Sequence, residues 1–159
     1  MKQESTMLKE GDKAIDFKMP TDDKNFVTLE SFPNNNIVLY FYPKDDTPGC
    51  TREAIDFTAH IDAFNKCKTS IIGVSADSTT KHKKFIEKHN LEVTLASDED
   101  KKVCEDYGVW IEKSMYGKKF MGIERATILI DKDRRIRKIW RKVSVTGHVE
   151  EVLEAAQKL

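Results

Sequence analysis

Six consecutive residues, Ile37-Val38-Leu39-Tyr40-Phe41-Tyr42, are apolar. A run of that kind without polar alternation predicts a strand covered on both faces. After Pro43 and a short polar loop the period changes. Ala54, Phe57, Ile61 and Phe64 recur at steps of three and four, which predicts one amphipathic helix. Ile71, Ile72 and Val74 then mark a second buried strand over 70–75. A strand-helix-strand unit crosses over right-handedly, so the two strands are expected to be parallel. Ser78 reads as the cap of a helix over 78–89, with Phe85 and Ile86 facing inward. A short strand follows at 93–96. Ser97 is expected to begin another helix, with Glu99 and Asp100 near its start to suit the helix dipole and an end near Tyr107-Gly108.

Two later apolar segments, 126–130 and 136–140, read as strands around a hairpin turn at 131–135. The chain closes with a helix that carries Val149, Val152, Leu153 and Ala156 on one side. The first thirty residues give weaker signals: strands near 15–18 and 26–29, joined by a turn at Asp22-Asp23. This order predicts an α/β fold, a central mixed sheet with helices on both faces and an N-terminal hairpin before it. The length of 159 residues suits one domain spanning 1–159.

Composition narrows the function classes. Lys plus Arg and Asp plus Glu are 27 each, so no global charge draws the chain to nucleic acid or an anionic membrane. No apolar run reaches membrane-spanning length. The start, Met1-Lys2-Gln3-Glu4-Ser5-Thr6, lacks the apolar centre of a secretory signal, so a cytoplasmic protein is expected. Cys50, Cys67 and Cys104 are odd in number and widely spaced, which predicts free thiols in a reducing compartment.

The chemistry concentrates in YPKDDTPGCTREA, residues 42–54. A cysteine in the first turn of a helix faces unpaired backbone N–H groups and the positive end of the dipole, which favour thiolate over thiol. Pro43 carries no donor and its ring can shield a sulfur from water. The Thr47 hydroxyl, three residues before Cys50, can accept from the thiol side and donate to a bound oxygen. A lone cysteine is more often a small buried residue than a nucleophile. Here two prolines, a threonine and a glycine crowd the same loop after a central strand, and the functional reading gains.

Pro43-Lys44-Asp45-Asp46-Thr47-Pro48-Gly49-Cys50 has the P-x-x-x-T-x-x-C pattern of peroxiredoxins. FYPKDDTPGCTREA resembles the bacterioferritin comigratory protein, or PrxQ, branch of that family. The similarity continues in GVSADS at 73–78, LASDED at 95–100 and YGVWIEKSMYGKKFMGIERATILID at 107–131. The resemblance implies a thioredoxin-like fold and thiol-dependent reduction of hydrogen peroxide and organic hydroperoxides, in an antioxidant role. It implies Cys50 as peroxidatic cysteine, Pro43 and Thr47 as its motif partners, and Arg125 as the catalytic arginine. A permanently charged guanidinium stabilises a thiolate without competing for its proton. The reductant would be a thiol such as thioredoxin, glutaredoxin or glutathione. No cofactor or metal is implied, and a monomer is.

The branch supplies a resolving cysteine at one of two places, and here those positions are Ile55 and Ile86. Cys67 is expected at the far end of the first helix, about 25 Å from Cys50 at helical rise. Cys104 falls on another helix and reads as an ordinary buried cysteine. A one-cysteine cycle is therefore expected.

Other constellations are weaker. Asp131-Lys132-Asp133 after an apolar strand resembles a magnesium phosphatase loop, but Arg134-Arg135 leading into a strand favours a turn. His60, His82, His89 and His148 are scattered and read as exposed or packing residues. Tyr116 and Phe120 are candidates to line an approach to the site, with Trp110 more at home in the core. A non-catalytic thiol sensor on the same fold is the remaining alternative. It too needs a reactive Cys50 but would not turn over.

Overall fold

The computed structural model describes residues 8–21 and 25–159. Five strands form the central sheet: β3 (Asn36–Phe41), β4 (Thr69–Ser75), β5 (Thr94–Ser97), β8 (Ala126–Ile130) and β9 (Ile136–Trp140). Their order is β5-β4-β3-β8-β9. β3 and β4 are parallel, as the crossover rule requires, and β4 and β5 are parallel too. β8 runs antiparallel to both β3 and β9, so the sheet is mixed.

Alternation along β3 divides the core. Ile37, Leu39 and Phe41 belong to one apolar cluster, and Val38, Tyr40 and Tyr42 to the other. The first face is covered by the hairpin of β1 (Lys18–Pro20) and β2 (Phe26–Thr28), and by α4 (Lys102–Asp106) through Val103 and Cys104. The second is covered by α1 (Pro48–Ala59), α2 (Ile61–Lys66), α3 (Thr79–His89) and α5 (His148–Gln157). Covering both faces explains why β3 reads as an unbroken apolar run. Gly73 in β4 answers to this packing. A Cβ there would lie 2.6 Å from Cζ of Tyr40, so a side chain would displace the tyrosine ring.

Several elements differ from the sequence pattern. The single helix expected through Ala54, Phe57, Ile61 and Phe64 breaks at His60. The His60 imidazole engages the Asp56 carbonyl, while the His60 N–H turns to the Phe57 carbonyl. Phe57 and Phe64 still meet, with ring centroids 5.8 Å apart. The helix expected from Ser97 starts at Lys102, because Ser97 still pairs with Ser75 as the end of β5. The Asp98 carboxylate accepts from the N–H groups of Val103 and Cys104 and so caps the helix from outside it. The N-terminal strand lies at Lys18–Pro20 rather than 15–18, and the Asp22-Asp23 turn falls outside the described residues.

The hairpin of β6 (Trp110–Met115) and β7 (Lys118–Ile123) has no counterpart among the expected elements. Its two-residue loop, Tyr116-Gly117, has positive φ at both positions, which suits the twist of a tight hairpin. Among the described residues, no helix is long and apolar enough to cross a membrane. Asp131 forms a turn, as expected: its carboxylate accepts from the N–H groups of Asp133 and Arg135.

Candidate active site

Cys50 stands in the first turn of α1, with Thr47 at the N-cap and Pro48 opening the helix. Proline there loses nothing, since the first N–H groups of a helix have no internal acceptor. The first helical bond runs from the Thr51 N–H to the Thr47 carbonyl, and no side chain caps the turn. The Gly49 and Cys50 amides are therefore left at the open end of the helix. The Thr47 hydroxyl donates to the Lys44 carbonyl at 2.8 Å, which fixes the side chain across the turn instead of on the helix. Pro43 is half-buried where the chain leaves β3. Asp46 adopts φ +62°, a left-handed conformation that aspartate tolerates.

Arg125 arrives from the corner between β7 and β8. Its Nη2 donates to Cys50 Sγ at 3.3 Å, and its Nη1 donates to Glu53 Oε1 at 2.8 Å. Gly49 leaves room for this approach: a Cβ there would lie 3.2 Å from Nη2, tight enough to push the guanidinium back by a few tenths of an ångström. Burial works against the arginine's charge, but the facing Cys50 and Glu53 outweigh it and hold the guanidinium above its ordinary range. The corner is braced next door, where Arg141 forks onto Glu124 at 2.8 and 2.9 Å. Cys50 itself is 2% exposed.

Glu53 is not singled out by the sequence pattern. It lies one turn beyond Cys50 on the same face of α1, fully buried, and its Oε2 has no partner among the described residues. Burial pushes its carboxyl up to about 7, against the opposing pull of Arg125. The unfolded chain sheds this proton near 4.5 and the folded chain keeps it to about 7, so stability should fall as pH rises through that window. Glu53→Gln keeps the shape and removes the titration. It should flatten the slope of thermal stability against pH, by about 3 kcal/mol at most across the window. Melts at pH values below and above the window check this, and an unchanged slope would mean that Glu53 is ionised throughout. The i, i+3 spacing from Cys50 was the available signal.

Lys113 of β6 is a further neighbour. Its stem lies over Gly122, and burial, followed by Arg125, pulls its ammonium below the ordinary range. Tyr116 and Phe120 are exposed on the hairpin, while Trp110 packs against the first core cluster, as expected for Trp110. Two histidines take the packing role that the sequence reading allowed them. His82 is buried against Asp45, and His148 is buried with its Nε2 2.8 Å from Thr127 Oγ1.

The other two thiols lie apart. Cys104 belongs to the core cluster on the opposite face of the sheet from Cys50. Burial and the Asp98 carboxylate drive its thiol strongly toward the protonated form. Cys67 ends α2, not the helix that carries Cys50, and lies next to Lys68, whose carbonyl accepts from the Asn36 N–H at the start of β3. The Cys50 turn leaves the other end of β3, about 20 Å away at strand rise.

Comparison with known proteins identifies the family. The AhpC/TSA family model matches residues 10–139. Peroxiredoxin Bcp of Bacillus subtilis is 48% identical over 149 residues, covering 94% of this chain and 95% of that one. A cysteine-to-serine mutant of PrxQ from Xylella fastidiosa superposes with a TM-score of 0.90 at 36% identity, covering 95% and 96%. The bacterioferritin comigratory protein of Xanthomonas campestris, described for its alkyl peroxide reduction activity, gives 0.85 at 39% identity, covering 89% and 90%. With a thioredoxin-like sheet, a cysteine opening α1 and relatives of this similarity over nearly their whole length, the chain belongs to the AhpC/TSA family and, within it, to the Bcp or PrxQ peroxiredoxins, which are thiol-dependent peroxidases.

Proposed function

We propose that this chain, acting as one domain over 1–159, reduces hydrogen peroxide and organic hydroperoxides through Cys50 and is recycled by an external thiol. The observation that carries the reading is the Arg125 Nη2 contact to Cys50 Sγ, 3.3 Å, at an uncapped helix start. The Cys50 thiolate attacks the distal peroxide oxygen. The O–O bond breaks, and the leaving oxygen departs with the electron pair and takes up a proton as water or an alcohol. Arg125 and the Cys50 N–H are the donors that meet the growing charge, while the Thr47 hydroxyl, whose proton is held by the Lys44 carbonyl, offers a lone pair to the peroxide O–H. Pro43 shields the sulfur from water. The product is a Cys50 sulfenic acid. A donor thiol attacks that sulfur, expels water and leaves a mixed disulfide, which a second thiol cleaves to restore Cys50.

The alkyl peroxide activity named for the Xanthomonas protein favours organic hydroperoxides as substrates here. Thioredoxin, glutaredoxin or glutathione is the expected class of reductant, the cytoplasm the expected setting and a monomer the expected state. The thiol positions support the one-cysteine cycle. Cys104 is on the far face, Cys67 is at the far end of the sheet, and Ile55 and Ile86 occupy the places where the branch carries a resolving cysteine.

Intact-mass analysis after one equivalent of hydrogen peroxide tests this reading. The expected product has gained one oxygen, and excess peroxide adds a second, because no disulfide protects the sulfur. Added thioredoxin or glutathione should return the original mass. A rapid, quantitative Cys50–Cys104 or Cys50–Cys67 disulfide would refute the one-cysteine cycle and leave the peroxidase reading standing.

A further inference from the structure

Seven large apolar side chains stand exposed among the described residues, and four of them fall in one stretch: Met115, Tyr116, Phe120 and Met121. All four belong to the β6–β7 hairpin, which forms a two-stranded sheet of its own outside the five-stranded one. Tyr116, at the tip, is 97% exposed. Exposed apolar groups gathered in one place mark an interaction surface. The same hairpin carries Lys113, Lys118 and Lys119 against a single acid, Glu112. Among the described residues none of these three lysines forms a salt bridge.

The register arranges these groups. Lys113 faces Phe120 and Met115 faces Lys118, while Glu112 faces Met121 and Ser114 faces Lys119. Facing residues share one side of a ribbon, and the side alternates along each strand. One side therefore carries Met115, Phe120, Lys113 and Lys118, and the other carries Met121 and Lys119. Both sides mix apolar and basic groups around a tyrosine tip. A rigid groove on another protein meets one side of a ribbon. A bilayer surrounds an inserted tip, so both sides are used at once. Tyrosine suits the headgroup level, where its ring is apolar and its hydroxyl wet. The lysines complement anionic headgroups. The charge of the whole chain is balanced, so this attraction is local and escapes a reading made from total charge.

We propose that the β6–β7 hairpin is a peripheral anchor whose tip wedges into the interface of an anionic lipid bilayer. The hairpin ends at Ile123, two residues before Arg125. Anchoring by the tip thus brings the Cys50 side of the molecule toward the bilayer. That consequence rests on the proposed function; the binding itself does not.

The test is co-sedimentation of the full chain, at low ionic strength, with vesicles of phosphatidylcholine containing phosphatidylglycerol and with vesicles of phosphatidylcholine alone. The chain should sediment with the first and scarcely with the second. Lys118→Ala with Lys119→Ala should lower the partition coefficient about 25-fold, about fivefold for each lysine near an anionic surface. Phe120→Ser with Met121→Ser should lower it about tenfold or more. Lys83→Ala with Lys84→Ala removes the same charge from the exposed side of α3 and should leave binding within about twofold. Tyr116→Trp places an indole at the tip. Its fluorescence, over the background of Trp110 and Trp140, should shift to the blue on anionic vesicles and be quenched by phospholipids brominated along the acyl chain. The proposal falls if the chain does not sediment with anionic vesicles, or if the indole at the tip is not quenched. It falls too if the α3 pair costs as much as the hairpin pair, since diffuse charge would then account for binding. A dimer that forms without lipid and is lost in the hairpin variants would also overturn it, because a second copy would then be the occupant. Binding is read without peroxide, so a Cys50 that fails to react would sink the proposed function and leave this result standing.

Discussion

Cys50→Ser is expected to abolish peroxide consumption, while Cys67→Ser and Cys104→Ser keep most of it. A serine hydroxyl fits the same first turn, so the fold should survive, but it supplies no thiolate to attack an O–O bond. Neither other sulfur can substitute. Cys104 is fully buried, and its neighbour Asp98 favours the thiol over the nucleophilic thiolate. Cys67 donates to the Phe64 carbonyl at 3.4 Å and has no arginine contact among the described residues, so nothing activates it comparably. Replacing either changes a packing or a weak hydrogen bond, with a cost in stability of about 1 kcal/mol. Peroxide consumption in the presence of glutathione or dithiothreitol separates the three variants. Near-normal turnover without Cys50 would overturn the mechanism and reopen the structure for another nucleophile.

Most of the central sheet was legible because its signals are local. The apolar run of β3 and the three-and-four spacing of α1 depend only on burial, and each element buries its apolar side against the sheet. Boundaries set by side chains contacting the backbone were not legible. His60 breaks a helix that periodicity would continue, and Asp98 moves the start of α4 by five residues relative to Ser97. The β6–β7 hairpin stayed hidden because most of its positions are exposed, leaving no clean alternation to read. The site divides in the same way. Cys50 and Thr47 are marked by the loop that contains them, and Arg125 by resemblance. Glu53, Asp45 and His82 become visible only when three dimensions bring partners 72 and 37 residues apart into contact.

Arg125→Ala should slow the oxidation of Cys50 by about a hundred- to a thousandfold, the loss expected when one well-placed donor to developing charge is removed, roughly 2.7–4 kcal/mol. The geometry explains why the effect should fall on chemistry more than on folding. The guanidinium gives one arm to Cys50 Sγ and the other to Glu53, so it fixes the sulfur and the wall behind it together. Losing it leaves a buried Glu53, but that carboxyl already holds its proton up to about 7 and can stay neutral. The variant should therefore remain folded near neutral pH. Arg125→Lys should recover little. A lysine carries the charge but presents it as a point, and it cannot reproduce a planar fork that serves two acceptors at once. Stopped-flow oxidation of the reduced protein by hydrogen peroxide gives the rate constant without interference from the donor thiol. A rate within threefold of wild type in the alanine variant, about 0.6 kcal/mol, would show that the 3.3 Å contact has no part in attack. Thr47→Val then provides the scale: its hydroxyl is already bonded to the Lys44 carbonyl, so its loss should cost less than that of the arginine.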